Sequence, residues 1–193
     1  MKKNIDNNKG FTLIEVLVVV GILALLVSFL MINFNDARAD ARDKARAAAL
    51  EQLAVALELY KAEYGVYPDQ GCGDPSAGEW AGPGPATLSW AASCDDYIVG
   101  HTGGVNFVPD FLPALPIDPR DELEDDKGFY YRTSASNDTY KIMVHESVEV
   151  NLVDDFSHEL ARCPRALPGP PSRCSAPAPE NIYSIYSSGA EYW

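Results

Sequence analysis

The stretch whose reading decides the fold runs Phe11-Thr12-Leu13-Ile14-Glu15-Val16-Leu17-Val18-Val19-Val20-Gly21-Ile22-Leu23-Ala24-Leu25-Leu26-Val27-Ser28-Phe29-Leu30-Met31-Ile32-Asn33-Phe34. As a helix rising ~1.5 Å per residue it spans about 36 Å, enough to cross a hydrocarbon core of about 30 Å. It holds a single ionisable side chain, Glu15. Residues 1–10 carry Lys2, Lys3 and Lys9 against Asp6, a local +2, which leaves −15 of the chain's net −13 on everything that follows. A basic head before an apolar run is inserted with the head in the cytoplasm. No small-residue cleavage site closes the far end of the run, which passes into Asn33, Asn35 and a charged helical pattern. The expected outcome is therefore a retained anchor rather than a removed secretory signal.

Glu15 needs a reason to be where it is, because a carboxylate inside an apolar helix costs free energy unless it finds a partner or reaches water. With so few residues before it, Glu15 in a lone chain sits near enough to the interface to snorkel. At this point Lys9-Gly10-Phe11-Thr12-Leu13-Ile14-Glu15, followed by Val16-Leu17-Val18-Val19-Val20, resembles the prepilin signal of type IV pilins and type II secretion pseudopilins. The resemblance implies cleavage between Gly10 and Phe11 by a membrane prepilin peptidase that also N-methylates Phe11. It further implies that Glu15 meets the Phe11 ammonium of a neighbouring subunit in a filament, where two charges costly alone neutralise each other. Many major pilins carry a proline within this helix, whereas this sequence has none before Pro68 and only Gly21 weakens the run.

Beyond the apolar run, Ala41, Ala45, Ala48, Ala49, Leu53, Ala56, Leu57, Tyr60 and Tyr64 recur at three- and four-residue steps, which predicts an amphipathic continuation over 35–64. Read as one seam this set drifts off a strict heptad. Asp40–Lys44 and Asp43–Arg46 are spaced as helix-surface charge pairs. Gly65 and Pro68 end the helix. The segment Ala56 to Pro68 is similar to the end of the long helix in major pseudopilins, and Phe111-Leu112-Pro113-Ala114-Leu115-Pro116-Ile117-Asp118-Pro119 resembles a turn of the same domains.

Residues 69–97 read as an ordered loop, and residues 163–179, with six prolines, as an irregular surface loop. Strands are expected at Gly128–Thr133 and Thr139–Val144, joined by a hairpin turn at 134–138, with a weaker one at Val148–Val153 and a fourth at Asn181–Ser187. The predicted fold class is α+β. A long helix, half apolar and half amphipathic, packs against three or four antiparallel strands, with loops tied by disulfides. The domain layout follows as 1–10 leader, 11–34 membrane and filament-core helix, 35–64 amphipathic helix and 65–193 exported globular domain. The four cysteines allow three connectivities, of which Cys72–Cys94 and Cys163–Cys174 are favoured because each joins sequence neighbours across a short loop.

The charge balance argues against a nucleic-acid partner. No cofactor is expected. Asp118, Asp121, Glu122, Glu124, Asp125 and Asp126 form the one candidate calcium cluster, suggested also because related major pseudopilins bind calcium. Their spacing does not fit an EF-hand, and a solvated acidic turn is the simpler reading. Asn137-Asp138-Thr139 matches a glycosylation sequon. No nucleophile–base arrangement emerges, so catalysis is not expected. The resemblance implies as partners the prepilin peptidase, further copies of the chain and minor pilins, an inner-membrane assembly platform, and lipid before assembly. It implies an inner-membrane protein with a cytoplasmic N-terminus that later lies outside that membrane in a pilus or pseudopilus. The alternative is a minor pilin acting as an adhesin or other binding module at the cell surface.

Overall fold

The computed structural model describes residues 10–84, 89–101, 105–120, 127–153, 155–165, 174 and 181–193, with the side chains of 29–33 outside that description. Two compact units divide the chain, Met1–Arg38 and Ala39–Trp193. Helix α1, Leu13–Tyr64, contributes to each.

In the first unit the helix is launched by its own sequence. Thr12 Oγ1 accepts the Glu15 amide at 3.4 Å, while Glu15 Oε2 accepts the Thr12 amide at 2.8 Å and its hydroxyl at 2.7 Å. This reciprocal capping box satisfies backbone donors that the first turn would otherwise leave bare. Every described side chain from Phe11 to Ser28 is exposed, so these residues form no core among the described part of the unit. Among the described residues no helix is long and apolar enough to cross a membrane.

The second unit has the α+β architecture expected. One strict seam of α1 turns inward: Ala39, Asp43, Arg46, Leu50, Leu53, Leu57 and Tyr60, at alternating steps of four and three, are all buried. Gly65 closes the helix in the left-handed region, its φ at 79°, and its amide donates to the Lys61 carbonyl at 2.8 Å. A glycine pays no Cβ penalty there. The strands are β1 (Asp69–Gln70), β2 (Trp80–Gly82), β3 (Ala91–Ser93), β4 (Ile98–Val99), β5 (Gly128–Thr133), β6 (Tyr140–His145) and β7 (Tyr183–Tyr186); a short helix, α2, covers Phe107–Asp110. β1 pairs with β4, and the main sheet runs β3-β2-β5-β6-β7.

Phe129, Tyr131, Tyr140, Ile142 and Val144 point from β5 and β6 toward the α1 seam and share its core. Their alternates Tyr130 and Met143 build a second apolar cluster with Trp80, Ala91 and Ile182. The central hairpin is therefore buried on both faces, as its nearly continuous apolar runs require. Its turn bends at Asn137, whose φ of 56° asparagine tolerates better than most residues. Disulfides join Cys72 to Cys94 and Cys163 to Cys174, with Cα–Cα distances of 6.2 and 5.8 Å.

Several expectations need correction. The sheet has five strands among the described residues and is mixed, since β2 and β3 run parallel. Both of those strands, and β1, come from 69–97, whose Gly- and Pro-rich composition predicts a loop. Val148–Val153 forms no strand, because Asp43 takes the amide protons of Glu149, Val150 and Asn151. The sixth strand begins at Tyr140 rather than Thr139, and the last is trimmed to Tyr183–Tyr186. Ala41, Ala45 and Ala48 face outward, not into the core. Most of the 163–179 loop lies outside the described residues.

Opposite faces of one helix give a direct check. Leu57 is fully buried, so Leu57→Ala should lower the unfolding free energy by ~2–5 kcal/mol. Val55→Ala, two residues away and exposed, should change it by less than about 0.5 kcal/mol. Chemical denaturation in detergent micelles measures both; equal losses would mean the helix is turned otherwise.

Candidate assembly site

The residues assigned to processing and assembly lie together at the start of α1. Gly10 is exposed, and a Cβ built on it would meet nothing within 4 Å, so no packing demand in the fold explains the glycine. Phe11 is 88% exposed. Glu15 is exposed too, and its carboxylate is engaged by Thr12 of its own first turn. The sequence supplied the T-x-x-E signature of that box at Thr12–Glu15, a signal not used in assigning Glu15 its role.

A second polar assembly lies in the globular unit. Arg46, on the buried seam of α1, has no side-chain exposure and holds three carboxylates at once. Its Nε and Nη2 bond the two oxygens of Asp118 at 2.8 Å each, and its Nη1 bonds Asp43 at 2.8 Å and Glu149 at 2.9 Å. Arg42 grips the same Glu149 through two bonds, at 2.8 and 2.5 Å, and Arg120 pairs with it as well. Three guanidinium groups thus face three carboxylates, and the fork of Arg46 is satisfied bidentately. Asp43 in turn caps three successive backbone amides, those of Glu149, Val150 and Asn151, at 2.8 to 3.1 Å. The segment after β6 and the turn at Asp118-Pro119 are thereby fastened to the helix.

The electrostatics follow from this geometry. Burial works against the Arg46 cation, but bonds to Asp118, Glu149 and Asp43 outweigh it and raise its pKa above the ordinary value. Burial likewise opposes ionisation of Asp118, yet the Arg46 guanidinium holds its carboxyl below the usual range. The Arg42 hydrogen bonds, reinforced by Arg46 and Arg120 against some desolvation, hold Glu149 down at about 2.

Sequence reasoning treated Asp43–Arg46 as a surface pair and Asp118 as a calcium candidate, and gave Glu149 no role. The first is corrected by burial. As for Asp118, both its oxygens accept from Arg46, and Oδ1 also accepts the Arg120 amide at 3.0 Å. Asp121, Glu122, Glu124, Asp125 and Asp126 lie outside the described residues. Among the described residues no group of three or more His, Cys, Asp or Glu is placed to hold a metal ion. A signal for the clasp was present. Running the Leu50-Leu53-Leu57-Tyr60 heptad phase backward lands on Arg46, Asp43 and Ala39. The sequon asparagine, Asn137, is buried, and its Nδ2 is engaged by Asp69 and His101.

A clasp of ionised carboxylates must fail in acid. Glu149 binds its proton near 4.5 when unfolded and at about 2 when folded, so its contribution is complete above pH 5 and lost as pH falls from 4.5 toward 2. Asp118, also lowered, acts in the same direction. Thermal midpoints should drop across that window, and Glu149→Gln should flatten the drop. Arg46→Met should cost ~3–5 kcal/mol at pH 7, with the gap to the parent narrowing in acid. A gap that stays constant with pH would show that the clasp is not electrostatic.

The prokaryotic N-terminal methylation motif matches residues 5–31. The chain is 37% identical over 101 residues to the type IV wide pilus major component PilA4 of Thermus thermophilus, an overlap of 51% of this chain and 77% of that protein. It is 39% identical over 71 residues to the type II secretion system core protein G of Vibrio cholerae, covering 36% of this chain and 49% of that one. No solved structure matches it. The methylation motif stands on the helix that starts with the Thr12–Glu15 capping box, and the similarity to a major pilin spans most of that relative: the chain belongs to the type IV pilin family, to which the type II secretion pseudopilins are related.

Proposed function

We propose that this chain is a structural subunit of a type IV pilus or a type II secretion-like pseudopilus, and that it works by assembly rather than by catalysis. The observation that carries the reading is the apolar helix of the first unit. Phe11, Leu13, Ile14 and each large apolar side chain from Val16 to Val27 are half exposed or more. A helix apolar on every side is stable only when something apolar surrounds it. Lipid serves first, with residues 1–10 held in the cytoplasm by their lysines and residues 11–34 crossing the inner membrane. Copies of the same helix serve afterwards, once the subunit is extracted into a filament.

In this reading the prepilin peptidase cuts between Gly10 and Phe11 and methylates the new amine. The unsubstituted Gly10 leaves the scissile bond accessible. Before assembly Glu15 is kept in the bilayer edge by the capping bonds from Thr12, which replace part of its lost hydration. In the filament a neighbour's Phe11 ammonium adds the opposite charge. The assembly platform and minor pilins complete the machinery, and the disulfide-tied globular unit faces outward.

Mass spectrometry of membranes and of sheared surface material tests the processing step, with N-methylated Phe11 expected as the first residue in both. Two Glu15 variants separate its roles. Glu15→Val removes both capping and charge, whereas Glu15→Gln keeps a capping box but not the charge. Both should be cleaved normally and both should be nearly absent from sheared filaments. Full filament yield from Glu15→Gln would mean that capping, not the ion pair, is what assembly needs.

A further inference from the structure

One edge of the main sheet is closed by a turn rather than by a strand. On β7 the Ser184 amide donates not to β6 but to the Leu160 carbonyl, at 2.9 Å. The Ser184 hydroxyl donates to the Ala161 carbonyl at 3.1 Å, and the Arg162 carbonyl accepts from the buried Lys141 ammonium of β6. Leu160, Ala161 and Arg162 are buried in this seat, as is Ser184. An edge strand left open is a template for any further strand, so the turn before Cys163 covers a surface that needs cover.

The turn holds its shape through one side chain. His158 Nδ1 accepts the Leu160 amide at 3.1 Å, and the His158 carbonyl accepts the Ala161 amide at 3.0 Å. The first of these bonds requires a particular state of the ring. A ring nitrogen that accepts carries no proton, so the neutral imidazole bears its proton on Nε2. In an imidazolium both nitrogens donate, and turning the ring over presents a carbon instead. Neither arrangement gives the Leu160 amide an acceptor. The ring is set in place by stacking on Tyr183, with centroids 6.3 Å apart and planes within 9°. Tyr183 is itself buried, and its hydroxyl donates to the Asn151 carbonyl at 2.6 Å.

We propose that His158 is an acid-operated latch on β7: the neutral ring seats the 155–162 turn on the sheet edge, and a proton releases it. The latch belongs to the globular unit and goes beyond the filament reading, on which it does not depend. Three groups face the ring. Asp155 of the same turn is held below its usual range, by hydrogen bonds from Ser157 first and by the charge of His158 last. Glu159 is exposed beside it. From β7 comes Tyr183, whose phenol is pushed up to about 12 by burial, ahead of the charges of Asp43, Arg46 and Asp40 on α1. Carboxylates ordinarily titrate at about 4, phenols at about 10 and imidazoles at about 6.5, so mild acid acts on the histidine.

Amide hydrogen exchange of the full-length chain in detergent micelles tests the latch, at about pH 7.5 and about pH 5.5 with intrinsic rates corrected. Both conditions lie above the window in which Glu149 of the Arg46 clasp is protonated. Protection of Leu160 and Ser184 should fall about tenfold in acid, while the β5 amides keep theirs. Equal protection of the parent chain at the two pH values overturns the proposal. His158→Asn offers an oxygen to the same amide two residues on and takes up no proton, so its protection should stay high at both. His158→Phe keeps a ring on Tyr183 but has no acceptor, and its protection should be low at both. Each variant leaves His101 and His145 in place, so an acid effect arising at either would persist and would count against His158. Nitrogen NMR spectra of the parent give an independent check: at neutral pH the His158 proton is expected on Nε2. A proton on Nδ1 removes the acceptor, and the latch with it.

Discussion

Arg46 is a cation with no access to water, placed in the middle of a seam that is otherwise packing on a sheet. Burying a guanidinium is tolerable only where carboxylates meet it with good geometry, and Asp43, Asp118 and Glu149 do so from the helix itself and from two distant segments. Turning α1 by one residue would strand that charge and the three backbone amides that Asp43 caps. The hydrophobic contacts lower down the seam are less particular, since Leu50, Leu53 and Leu57 are similar in shape. The clasp therefore sets the rotation of the helix against the sheet. In setting which face goes in, it also sets which face goes out, and so exposes the alanine-rich seam with Val55 and Leu59.

Two apolar inventories exist in this molecule and they are treated differently. Leucines and aromatics of the second unit find cover within the chain, from α1 on one face of the sheet and from the Trp80–Met143–Ile182 cluster on the other. The side chains from Phe11 to Ser28 find none. That imbalance is the physical basis of assembly, because a fold that leaves a helix uncovered hands its burial to lipid or to another copy. Thr12 and Glu15 show the same economy at small scale. At the helix start the amides of Thr12 and Glu15 find partners within their own first turn, so neither needs a neighbour to satisfy it.

Some features were legible because they rest on local chemistry. The apolar run at 11–34, the Gly65 stop and the β5–β6 hairpin each follow from periodicity, backbone freedom and β-branched or aromatic runs, which need no distant partner. The cysteine pairing followed from loop length, since neighbours in a short chain segment meet at the lowest closure cost. The short strands β1 to β4 were not legible. With two or three residues each they have too few positions to show an alternation, and their Gly- and Pro-rich surroundings read as turns.

By itself, the sequence determined that a basic head precedes an uncovered apolar helix, that an amphipathic helix follows, and that a disulfide-tied sheet completes the chain. Those properties reside in consecutive residues. Tertiary structure decided between the two opposite stripes of the amphipathic helix that repeat at heptad spacing. Alanines at 41, 45 and 48 and leucines at 53 and 57 form one drifting seam only when two opposite faces are read together. Folding separates them, because Arg46 and Asp43 must reach Asp118 and Glu149, more than seventy residues away in the chain. No local pattern encodes a contact at that separation; the sheet brings it about, and the outward face of the helix follows from it.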